Sequence, residues 1–189
     1  LVLILAAAMA LALVAVLPGC GENENVKLAK QLMEDGDKNY NEVEVTKDAL
    51  SEKQTEIATA AMEGDYSSLT GEAGEQLQME LEQLMSELQS NLGAAKANYE
   101  QILELEDAED YKEYAGKMVE VIDKDQELVT AIEALMAKFQ EMIAMAAQGQ
   151  QVDIMSLLQS EEMSTVTELT EEIDSLLKEA ENIKSEKNL

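Results

Sequence analysis

The sequence predicts an all-α protein: an elongated antiparallel bundle of about four long helices behind an apolar N-terminal segment. Three observations predict it. The chain has a single proline, Pro18, so no proline interrupts a helix anywhere beyond it. The residues that follow are mostly Ala, Leu, Glu, Gln, Met and Lys, which are strong helix formers. Their apolar members recur in steps of three and four, the spacing of one helix face.

The expected helices cover 26–62, 72–105, 111–147 and 152–187. At about 1.5 Å per residue, helices of roughly 35 residues make a rod about 50 Å long. In the first, Val43, Leu50 and Ile57 mark a seam that Lys47 and Gln54 interrupt, so looser packing is expected there, above all before Tyr40. In the second, Leu77, Leu81, Leu84, Leu88, Leu92, Ala95, Tyr99 and Ile102 share a face. The third carries Tyr114, Met118, Val121, Leu128, Ile132, Leu135, Phe139 and Met142, widened by Ile122, Val129, Met136 and Ile143. A stripe that broad belongs to a bundle rather than a two-stranded coil. The fourth repeats the pattern in Val166, Leu169, Ile173, Leu176, Ala180 and Ile183.

The connections carry turn chemistry. Gly64 and Gly71 flank a stretch with Ser and Thr as caps. Asp110 is expected to cap the third helix. Gly149 and Asp153 mark the turn into the fourth. Short links favour antiparallel neighbours.

The formal net charge is −27, from 40 acidic residues against 13 basic ones, all of them lysine. Such a surface repels phosphates, so no nucleic-acid partner is expected. It is equally unsuited to a polybasic clamp on anionic headgroups. It attracts cations and basic partners, although a solvating surface is the plainer reading.

Residues 1–17 are all Leu, Val, Ile, Ala or Met, and the run ends in Leu17-Pro18-Gly19-Cys20. This ending resembles the lipobox of bacterial lipoproteins, with an aliphatic residue three before the cysteine and a small one directly before it. Pro18 stands where a small residue is commoner, and a basic n-region is expected ahead of Leu1. The resemblance implies a signal peptide over 1–19, cleavage between Gly19 and Cys20, and lipid on Cys20. It leaves 20–25 as a short tether and 26–189 as the bundle domain. The expected address is extracytoplasmic, with the membrane as a partner through that lipid. Gly21 after the cysteine implies that sorting to an outer membrane is permitted. Cys20 is the one cysteine, which excludes an intramolecular disulfide. The alternative is an uncleaved apolar anchor. The stretch from Tyr99 to Leu105, with Asp110-Tyr111-Lys112-Glu113-Tyr114, also resembles helical lipoproteins of bacterial genomes whose role is open.

Few residues suggest site chemistry. Asp35, Asp37 and Asn39 fall at the first, third and fifth positions of an EF-hand-like loop. Tyr40 and Thr46 stand where that loop needs Gly and Glu, so a polar helix or a helix break is expected instead. Glu104, Glu106, Asp107, Glu109 and Asp110 gather around a turn and are expected to face water. Asp125 interrupts the third helix's apolar stripe. It is either buried and paired with a lysine, or, more plainly, at the stripe's edge and in solvent. Met118, Met136 and Met142 are expected to fill core space. The chain has no histidine, arginine or tryptophan, which removes His-based triads and most zinc sites. No catalytic residue, cofactor or metal ligand is expected.

The function expected first is a non-enzymatic scaffold or protein-interaction module of the cell envelope, with an envelope protein as partner. The alternative is a binding module for a cation, a cationic peptide or an apolar ligand. A cleft lined by converging polar groups separates the two, because a scaffold has no use for one.

Overall fold

The computed structural model describes residues 23–64, 68–148, 150 and 159–189. The expectations for Gly19, Cys20, Gly149 and Asp153 lie outside the described residues. Among these residues, the chain forms four helices: α1 (Glu24–Glu63), α2 (Gly71–Glu104), α3 (Glu109–Ala147) and α4 (Glu161–Lys187). The all-α bundle is as expected. No described helix is long and apolar enough to cross a membrane.

The ends follow capping chemistry. Asn23 opens α1, its side chain accepting from the Asn25 amide at 3.0 Å. Gly64 closes α1 in the left-handed region, with φ 73°, and its amide donates to the carbonyls of Ala60 and Ala61. Thr70 takes the extended N-cap position of α2. Two expected boundaries are corrected. Asp110 is not the cap of α3; it lies inside the first turn beside Glu109, where both charges favour the positive end of the helix dipole. The described part of the fourth helix starts at Glu161, because Ser160 caps it by accepting from the Met163 amide at 3.3 Å. Its far end closes on Asn188 in the left-handed conformation, with the Leu189 amide donating to the Lys184 carbonyl.

α1 runs along α2 and α3 along α4, and the α2–α3 seam joins these two hairpins. α1 and α3 touch lightly across the diagonal. The core is one continuous cluster that includes Leu50, Leu88, Leu92, Ile102, Ile122 and Ile173. Each such side chain, fully buried, contributes about 1.5–3 kcal/mol. Met118 is buried, and Met136 packs against the core, as expected of fillers.

The expected looseness of α1 before Tyr40 is also corrected. Ala29, Met33, Gly36 and Tyr40 are all buried, and α1 is helical throughout. Small residues achieve this. The Tyr99 ring lies against Gly36 so closely that a Cβ there would sit 2.8 Å from it. Gly36 is therefore no helix break; it is the socket for a ring from α2. Gln54 is exposed, so the seam steps past it from Leu50 to Ile57.

Candidate functional site

Two carboxylates organise the polar interior, and all four helices contribute to them. The first is Asp125 on α3. It is 2% exposed, so the plainer expectation of a solvent-facing edge position is wrong. The Tyr40 hydroxyl donates to its Oδ2 at 2.7 Å, and the Lys47 ammonium donates to its Oδ1 at 3.0 Å. Lys47 also reaches Glu44 at 2.9 Å. The two residues that interrupt the apolar seams of α1 and α3 thus meet each other. Burial pushes the Asp125 carboxyl up, against the opposing pull of Lys47 and the Tyr40 hydrogen bond. Burial pulls Lys47 down, but the charges and hydrogen bonds of Asp125 and Glu44 outweigh it and leave the ammonium favoured. The partners differ because Asp125 loses more water than Lys47, which is 24% exposed.

The second carboxylate is Asp37 on α1, one of the residues of the EF-hand-like stretch. It lies within a continuous helix, so that stretch forms no calcium loop. The hydroxyls of Tyr99 from α2 and Tyr114 from α3 both donate to its Oδ1 at 2.7 Å. Lys184 from α4 donates to its Oδ2. The two rings meet edge to face, with centroids 6.0 Å apart. The Lys184 ammonium stands 5.3 Å from the Tyr114 centroid, within cation–π range. Burial raises the hydroxyl pKa of Tyr40, Tyr99 and Tyr114 far above the ordinary 10, and nearby carboxylates add to it. All three stay protonated donors at any ordinary pH.

A cleft of about 350 Å³ opens beside this second node, between α1 and α4. That volume is at the small end of the range for ligand sites, roughly 300–1,000 Å³. Tyr99, Tyr114 and Met118 form its floor. Asp37 and Glu44 line the α1 side, and Glu181 and Lys184 the α4 side. Tyr99 and Tyr114 were legible in the sequence only as members of apolar faces. Their hydroxyls converge on Asp37, one carboxylate among many, and no spacing within a single helix announces that.

The acidic turn between α2 and α3 behaves as surface. Asp107 accepts from Asn23 at 3.3 Å, and Lys187 pairs with Asp110 and Glu113, each at 3.0 Å. Among the described residues, no group of three or more His, Cys, Asp or Glu is arranged to hold a metal ion. Every buried side-chain nitrogen and oxygen described has a hydrogen-bond partner.

No protein-family model, curated protein or solved structure matches this chain.

Proposed function

We propose that this protein is a lipoprotein of the cell envelope, lipidated at Cys20, whose helical body is a non-enzymatic binding module for a cationic ligand. The α1–α4 cleft is the observation that carries the binding half. A scaffold needs only a continuous core. Here three carboxylates and three tyrosine rings converge on an opening, with Lys184 paired to Asp37, Lys47 to Glu44, and Glu181 in no ion pair among the described residues. Carboxylates beside aromatic faces recognise cations by charge and by the ring quadrupole together. The ending Leu17-Pro18-Gly19-Cys20 carries the address, through its resemblance to a lipobox. An envelope protein that presents a basic segment fits as the partner.

The two halves are tested separately. Metabolic labelling with a palmitate analogue should mark the unsubstituted chain and leave Cys20→Ala unmarked; equal labelling overturns the address. A lysine-rich peptide should raise the melting temperature, by about 2.7 kcal/mol of added stability at a hundredfold excess over Kd. A glutamate-rich peptide of equal length should leave it unchanged. A flat response to the basic peptide overturns the binding reading.

A further inference from the structure

We propose that Lys184 is a tethered occupant of an alkylammonium site, and that the ligand is a primary alkylammonium group that displaces it from Asp37. The inference rests on the cationic-ligand reading of the cleft and names the head group that the cleft takes.

The geometry around Lys184 is that of a bound amine. Asp37 Oδ1 accepts both tyrosine hydroxyls at 2.7 Å, which fixes the plane of the carboxylate and leaves Oδ2 for a cation. The Lys184 ammonium takes Oδ2 and stands over the Tyr114 ring. A carboxylate oxygen and an aromatic face are together what a primary ammonium needs, and Asp37 and Tyr114 supply them.

The occupant is also displaceable. Lys184 is 36% exposed and Asp37 21%, against 24% and 2% for Lys47 and Asp125. Lys184 lies in the last turn of α4 and is attached through a flexible four-carbon arm. Swinging that arm into water costs the ammonium nothing in hydration. The open cleft lies directly beside it. Lys47 is instead held from two sides, by the buried Asp125 and by Glu44.

Charge favours a second amine on the same ligand. Glu44 is met by Lys47, whereas Glu181 forms no ion pair among the described residues. Glu181 is placed one turn from Lys184 on the same wall. A diammonium ligand can therefore engage Asp37 with one end and Glu181 with the other.

The test is a titration of the full chain with n-butylammonium, which copies the lysine arm. Lys184→Met should bind it at least tenfold more tightly than the unsubstituted chain, and Asp37→Asn should abolish binding. Equal binding to the unsubstituted chain and Lys184→Met, with loss in Asp37→Asn, overturns the tethered occupant and leaves the cleft reading standing. Failure of n-butylammonium to bind either chain overturns both. Should Lys184→Met fail to fold, the unsubstituted chain still decides. Rising n-butylammonium must shift the Tyr114 ring and Lys184 ε-methylene resonances together, and static resonances overturn the proposal. Two further arms separate the sources of the ammonium. Putrescine binding more tightly than n-butylammonium, with the advantage lost in Glu181→Gln, assigns a small diamine. A capped Gly-Lys-Gly peptide binding more tightly than putrescine assigns a lysine on a protein partner.

Discussion

Asp125 and Asp37 use the same donors to different ends. Each carboxylate accepts from tyrosine hydroxyl and lysine ammonium, and each joins helices distant in sequence. Asp125 is closed off from water, and its lysine, half-buried, is held between it and Glu44. Asp37 faces a cleft, and its lysine reaches solvent. The difference teaches that donor chemistry alone does not separate a latch from a site. Access does. A sealed pair can only hold helices in register, whereas a pair beside a cavity can also exchange its partner.

The largest expected effect strikes both nodes together. Tyr40, Tyr99 and Tyr114 have hydroxyl pKa values raised by burial and by nearby carboxylates. A raised folded-state value means that the stabilisation is fully present below the unfolded value, near 10, and is lost as pH rises beyond it. Three such groups should remove about 4 kcal/mol per pH unit above pH 10. Lys47, raised above its ordinary 10.5, adds to the loss in the same direction. Urea midpoints between pH 9 and 11 should fall steeply, and Tyr40→Phe should reduce the slope by about a third. An unchanged slope in that variant would separate Tyr40 from the network.

Substitution should then split the nodes. Asp125→Ala strands a buried hydroxyl and an ammonium, and should cost about 3 kcal/mol. Asp37→Ala should cost about 2 kcal/mol, because cleft water replaces part of what is lost. Equal costs by chemical denaturation would mean that the access argument is wrong. The pH response sharpens the contrast. Burial raises the Asp125 carboxyl above its ordinary 3.8, so between the two values the folded state holds the proton more tightly. Its contribution grows as pH falls and is complete below 3.8. Asp125→Asn should therefore cost more near pH 4 than at pH 7.

The smallest effect is expected at Gly36→Ala. The added methyl meets the buried Tyr99 ring at 2.8 Å. Overpacking costs about 1–3 kcal/mol, and the gain in helix propensity, about 1 kcal/mol, offsets part of it. A net loss of about 1 kcal/mol in the urea midpoint is expected, with the Tyr99–Asp37 hydrogen bond weakened. A stabilised variant would show that the ring can move aside.

Much of the scaffold was legible before the structure. Lys47 and Asp125 each broke an apolar seam and carry opposite charges, which is itself a sign that two helices pair there. The site was less legible. Asp37 stood out in the sequence only for its spacing from Asp35 and Asn39, which starts like a calcium loop and fails as one at Tyr40 and Thr46. Its partners come from α2, α3 and α4, and periodicity within one helix does not name a neighbour. The role of Gly36 was hidden for the same reason, since the ring that needs its missing side chain lies 63 positions further along.

The sequence by itself determined the helical class, the turn between Gly64 and Gly71, the faces turned inward and the acid surface. These follow from propensity, spacing and local hydrogen bonding, which act within a few residues. Only the tertiary structure decided which carboxylates are buried, which tyrosine hydroxyls meet them and where a cleft stays open between α1 and α4. Those depend on the rotation and separation of whole helices, and they are set by packing between residues far apart in the chain.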